Sequence, residues 1–410
     1  MLTLPSDTLH GLRRAISYYP SLLSPSWSYL ESPKTLRKST SEDQLFTRPL
    51  LWKVLPKSVY TPAEEHGASY PYAADISAEL PLSSTAMFIL AAGESLGNGA
   101  INIREDHEDK LSGNSLLVDM RVYYSSPLVH KSTSVSYVHA PQKESGIRIH
   151  TAPHPDELRR FLSISVRIPR AGGSDPLKLP AFRTHLPNFV HSVGDLAGVV
   201  HFSSITLSSS EKDIYVKSLS ARRARLRTSN GTIRGTFSSD SAVSLRTSNA
   251  PINADITLSN DGAQPSHLEL HTNYDEINVN VNLDSTAPED KTPSYRVVAQ
   301  SSNKPVHVKS GPAPQTASVH YEIQTTNAPA TLHLPATYEG TFELHSSPSK
   351  PVVAGEASRS VDSARERIVR YNRERRGLVS GTVTLQDGKT AGLRSEVSIK
   401  TSNAQAQLFL

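Results

Sequence analysis

Arg223, Arg225 and Arg227 alternate with Ala224 and Leu226, a spacing that puts three guanidinium groups on one side of an extended chain. Arg246 occupies the matching place in a second copy of the same motif, Leu-Arg-Thr-Ser-Asn, and aligned copies continue the row through His271, Gln300, Gln324 and Lys400. Cations gathered on one ledge can hold an anionic glycan, a phosphate or a lipid headgroup. The same residues also suit a β-edge kept soluble by its charge, so both readings stay open.

Catalysis on a β-surface calls for clustered acids, or an acid with a base, on one strand face. The next outward row is Thr236, Asp255, Asn280, Lys309 and His333, with a single carboxylate. Stacked strands would hold Asp255 and Lys309 roughly 10 Å apart, too far for direct acid–base work. A β-helical carbohydrate-active enzyme is the alternative, and it needs loops that bring together acids such as Asp213, Asp275 and Glu276. No catalytic residues are assigned, so whether the chain is an enzyme stays open, with the balance against it.

Other motifs have ordinary readings. His150 and His154 are separated by Ala152-Pro153, which breaks the shared helical face that a spacing of four requires. Asp106-His107-Glu108-Asp109 reads as a polar loop, and Gly97-Asn98-Gly99 as a tight turn without the Lys-Ser or Lys-Thr of a phosphate loop. Asn230-Gly231-Thr232 fits a glycosylation acceptor, but it lies inside a repeated turn. Neither a metal nor a cofactor is expected. The sequence has no cysteine, which excludes disulfides and thiolate metal sites.

The elements that must carry these residues are repeated. Thr228-Ser229-Asn230-Gly231-Thr232-Ile233 returns nineteen residues later as Thr247-Ser248-Asn249-Ala250-Pro251-Ile252, and related copies run to the end of the chain at Thr401-Ser402-Asn403. Each copy alternates strictly: Ile277, Val279, Val281 and Leu283 are separated by Asn278, Asn280 and Asn282, the mark of a strand with one buried face. Asn tolerates the bend between paired strands. The expected architecture is all-β, a β-solenoid of stacked two-strand rungs, because a single rung cannot bury its apolar row alone. An antiparallel β-sandwich is the alternative. The intervals of 19, 19, 25, 29 and 24 residues between Ile214, Ile233, Ile252, Ile277, Val306 and Ala330 favour the stack, with insertions as loops. Stacking would align Thr228, Thr247, Thr272, Ser301, Thr325 and Thr401 as a hydroxyl column. Asn230, Asn249, Asn303, Asn327 and Asn403 would form an amide ladder with a structural role in the turn.

Apolar residues make up 37 % of the chain, with 28 prolines and 21 glycines, a mix suited to thin layered β-structure and poor for long helices. Residues 1–78 read as a mostly disordered arm, in which Leu50 to Leu55 could dock as a strand; residues 79–200 read as a β-rich module or cap, and residues 201–410 as the repeats. One short helix is expected near 356–376, from the capping box Ser363 to Glu366 and a C-terminal Gly377. The net charge of +4 lacks the polyelectrolyte character of strong nucleic-acid binders, so no nucleic-acid partner is expected. No apolar stretch has the length of a signal or membrane segment, which makes the expectation a soluble chain, cytoplasmic by default.

The segments LSISVRIPR (162–170), LPNFVHSVGDL (186–196), TSNGTIRGTF (228–237) and LRTSNAPINADITL (245–258), with Gly377 to Gly381 and the final rung from Thr401, resemble uncharacterised fungal proteins. Those proteins are related to the bacterial putative-adhesin β-solenoid domains of unknown function. The likeness spans roughly residues 75–410. It implies the solenoid fold and a non-enzymatic, adhesin-like binding or scaffold surface towards glycans or a protein partner, and offers no catalytic residues to transfer.

Overall fold

The structure, a computed structural model, describes residues 46–56, 70–92, 97–106, 113–127, 132–140, 143–152, 159–170, 173–314, 316–347, 349–355, 367–385 and 395–410. Every element among them is a β-strand. Strict alternation of β-branched and polar residues drives this outcome, since each strand can bury one row and wet the other.

Between residues 200 and 333 the strands fall into two parallel columns. In the first, Val200–Ser208, Arg223–Arg227, Ala242–Arg246, Ser266–His271, Ser294–Gln300 and Ser318–Thr325 pair in that order. In the second, Ile214–Ala221, Ile233–Ser239, Ile252–Asn260, Ile277–Ser285, Val306–Ser310 and Ala330–His333 do the same. Parallel pairing throughout this stretch excludes the antiparallel sandwich, whose neighbours would run in opposite directions.

The inward rows are aliphatic and dry. Leu226, Leu245, Leu270, Ala299 and Ile323 stack in one column, and Ile214, Ile233, Ile252, Ile277, Val306 and Ala330 in the other, all fully buried. One hydrophobic cluster runs from Ala74 to Leu408.

Antiparallel strands close the N-terminal side. Leu177–His185 pairs in parallel with Val200–Ser208 and with Ala86–Ala92, which pairs with Glu144–Thr151. Thr133–His139 and Phe46–Leu50 then follow antiparallel. The second column continues through Phe189–Asp195, Asn98–Glu105 and Arg160–Ile168 to the antiparallel Ser115–Tyr124 and Tyr72–Pro81. Within the segment expected as an arm, the described residues include the Phe46–Leu50 strand and Lys53–Val54, which pairs with Ala74 and Asp75.

The other side has an order that chain position does not suggest. Glu396–Thr401 lies between Ser318–Thr325 and Gly340–Ser346, and Ala406–Phe409 lies between Ala330–His333 and Val352–Ala354. The last rung in the sequence is therefore inserted beneath an earlier one.

The helix expected near 356–376 is corrected. Arg367–Arg375 is a strand, paired antiparallel with Leu378–Leu385 across a turn in which Gly377 takes φ +84°. Glycine serves there as the left-handed residue of a hairpin, not as a helix C-cap, and Ile368, Val369 and Tyr371 favour extended backbone. The capping box Ser363 to Glu366 lies outside the described residues.

At four successive bends one residue ties three levels together through its hydroxyl and its N–H. The Thr247 N–H donates to the His271 carbonyl of the following rung at 2.9 Å, and its hydroxyl donates to the Gly231 carbonyl of the preceding one at 3.2 Å. Thr228 and Thr272 repeat the arrangement, with hydroxyl bonds to Lys212 and Ala250, and Ser301 donates to Asp275. Replacing the hydroxyl by a methyl group keeps the shape and strands a buried carbonyl. Thr247→Val should lower stability by about 1–2 kcal/mol in urea unfolding.

His191 is fully buried, with Nδ1 donating to the Phe189 carbonyl and Nε2 accepting from the Thr184 hydroxyl at 2.9 Å. Burial pushes its pKa down to about 4, against about 6.5 in an unfolded chain. The unfolded state therefore binds a proton that the folded state refuses, and stability falls as pH drops from about 6.5 towards 4. Urea unfolding at pH 7 and pH 5 should show a loss of about 2 kcal/mol that His191→Gln lacks.

Candidate functional site

The arginine row lies on the outward side of the first column. Arg223, Arg225 and Arg227 are exposed, in register with Ala242, Ser244 and Arg246 of the next strand. Their neighbours on the other side include Thr206 and Ser208. Alternation holds these three side chains about 6.6 Å apart along the strand, and rungs repeat every 4.8 Å or so across it.

The acids on this face do not reach them. Arg246 is paired with Glu269, which also accepts from the Ser244 hydroxyl, and Arg296 is paired with Glu322 at 2.9 Å. Among the described residues, Arg223, Arg225 and Arg227 take no ion pair. His185 and His267 share the face, but burial lowers both pKa values, and Arg296 depresses His267 further. At neutral pH these two imidazoles thus add little positive charge to the face.

The turn asparagines sit one above another and bond along the stack. Asn230 donates to Glu211, Asn249 to the Asn230 side chain at 2.6 Å, Asn327 to Asn303 at 2.8 Å and Asn403 to Asn327 at 2.7 Å. Tyr274, 61 % exposed, takes the asparagine's place in one rung, and there Asn303 donates instead to the Asn273 carbonyl.

The row Thr236, Asp255, Asn280, Lys309 and His333 is in register on the outward side of the second column. Asp255 accepts from the Asn280 amide at 2.7 Å, and His333 stacks on Phe409 at 4.4 Å. Asp213 and Glu276 precede equivalent isoleucines three rungs apart, which strand spacing converts to about 14 Å. Asp213 is also engaged, accepting from the Thr232 N–H and the Tyr215 hydroxyl, both at 2.6 Å. The loops do not bring these acids together.

Sequence reasoning missed a trough of about 620 Å³ on this second face, lined by Tyr215, Lys217, Arg234, Asn253 and Asn278 beside the row already named. The available signal was Gly235, a gap in an otherwise aliphatic inward row between Val216 and Ala254.

The class defined by this fold is an all-β protein whose exposed side chains form rows at strand spacing. The family described as a domain of unknown function, DUF7330, matches residues 224–408, the part that holds the Thr-Ser-Asn bends. No curated protein matches the chain. Among solved structures the chain is similar to a putative cell adhesion protein from Clostridium sporogenes, at 11 % identity and a TM-score of 0.16, over 82 % of this chain and 98 % of that one.

Arg246 and Glu269 are both about half exposed, and such pairs contribute roughly 0–1 kcal/mol. Arg246→Ala should therefore leave the thermal midpoint within about 2–4 °C of the parent protein, a margin that calorimetry resolves.

Proposed function

We propose that the chain is a β-solenoid serving as a non-enzymatic, adhesin-like binding scaffold, with the Arg223, Arg225, Arg227 and Arg246 face laid against an anionic glycan or headgroup surface. The observation that carries this reading is a contrast within one face. Arg246 and Arg296 have carboxylate partners, whereas the three arginines of a single strand have none among the described residues and are exposed.

Such a strand offers planar donors at fixed spacing, suited to bidentate contact with carboxylate, sulfate or phosphate groups. Because the donors sit on a hydrogen-bonded ladder, little backbone entropy is lost on binding. Screening by salt should weaken the contact strongly, as it does for exposed charges.

Retention of the full chain on immobilised dextran sulfate, and cosedimentation with vesicles of phosphatidylcholine and phosphatidylserine, separate the two sources of anionic groups. The triple variant Arg223→Gln, Arg225→Gln, Arg227→Gln should lose affinity by roughly tenfold or more, about 1.4 kcal/mol, for whichever surface binds, with unchanged thermal unfolding. Equal binding by parent and triple variant would sink the assignment.

A further inference from the structure

The trough on the second face is built from two adjacent rows. The first runs Ser192, Tyr215, Arg234, Asn253 and Asn278 over successive strands. The second holds Thr236, Asp255 and Asn280, with Lys217 beside them. The concavity has a backbone cause. Gly235 supplies no side chain where its column neighbours are Val216 and Ala254, and the Ile214–Ala221 strand shifts register between Val216 and Leu219. A Cβ on Gly235 would stand 2.2 Å from the Val216 carbonyl oxygen, so glycine lets the two backbones come close, and Val216, Gly235 and Ala254 form the floor of the trough.

The lining has a particular chemistry. Tyr215 is 43 % exposed, and its hydroxyl is committed to Asp213, which orients the ring as a platform. That bond, together with burial, raises the phenol pKa, so the ring stays neutral. Asn280 donates to Asp255 at 2.7 Å, leaving the second carboxylate oxygen as an acceptor. Arg234, Asn253, Asn278 and Thr236 take no side-chain hydrogen bond among the described residues. Amide, hydroxyl and carboxylate groups in this mixture can both donate to and accept from hydroxyl groups, while an aromatic face covers the apolar C–H side of a sugar ring.

We propose that this trough binds an acidic oligosaccharide lying along the stack, with one ring on Tyr215, its carboxylate on Arg234, and neighbouring hydroxyls on Asn253, Asp255 and Asn278. The row spacing of about 4.8 Å is close to the length of one sugar unit in an extended chain. Asp255 in the lining, with Asp213 bonded to Tyr215 and Asp195 paired with Lys217, opposes a polyphosphate backbone, which favours a sparsely charged glycan over a nucleic acid. This site uses a different face from the arginine row and stands or falls separately from it.

Isothermal titration of the full chain with an oligosaccharide in which uronic acid and neutral sugars alternate, and with its methyl ester of the same length, tests the assignment. The acid should bind, and Arg234→Gln should weaken it roughly tenfold or more, as should the ester. Tyr215→Ala should lose binding, whereas Tyr215→Phe, which keeps the ring and loses only its tether to Asp213, should bind more weakly than the parent and more tightly than Tyr215→Ala. All these side chains lie at the surface, so thermal unfolding of each variant should match the parent. The triple arginine variant of the other face should be unaffected. Equal binding of acid and ester, unchanged affinity in Arg234→Gln, loss of uronate binding in the triple variant alone, or no uronate binding at all would each overturn the proposal.

Discussion

The bend hydroxyl, donating to a carbonyl one rung back while its own N–H donates one rung ahead, is the contact on which the rest depends. Thr228, Thr247 and Thr272 all make both bonds. Side chains on a strand have a period of two, so a slip of one residue would send every Leu and Ile of a rung outward and every Arg and Asn inward. The hydroxyls oppose such a slip because only one register places a donor opposite the buried carbonyl. Rows of like residues on the outer faces are a by-product of this locking.

Much of this was legible because alternation is local. The alternating run Ile277 to Leu283 is a strand, Ile277–Ser285, and the Thr and Asn columns follow from aligning one motif. The hidden parts depend on partners distant in sequence. Leu177–His185 contains Pro180 and polar residues, and Phe189–Asp195 ends in Gly194-Asp195, so neither advertises a strand; both are held by neighbours on two sides. The Arg-rich stretch from Arg367 carried helix-end signals, yet pairing with Leu378–Leu385 outweighed them. Local propensity is a weak prior against a ready sheet edge.

The candidate sites divide along the same line. Alternation alone placed Arg223, Arg225 and Arg227 on one side of a strand. That Glu269 would neutralise Arg246 and leave those three untouched required the stacking order, because Glu269 is 23 residues from its partner in the chain. The trough was less visible still. It lies over a register shift and a close backbone approach at Gly235, and no pattern in a single strand reports how closely its neighbour approaches.

The intercalated final rung bears on how the molecule is made. Glu396–Thr401 and Ala406–Phe409 leave the ribosome after the two strands they separate from the lower levels. Gly340–Ser346 and Val352–Ala354 consequently cannot take their final seats during vectorial synthesis. They must wait unseated, or dock on the wrong level and let go, until residues 396–409 emerge. A nascent chain stalled before residue 396 would display the bare upper edges of Ser318–Thr325 and Ala330–His333 to any chaperone nearby.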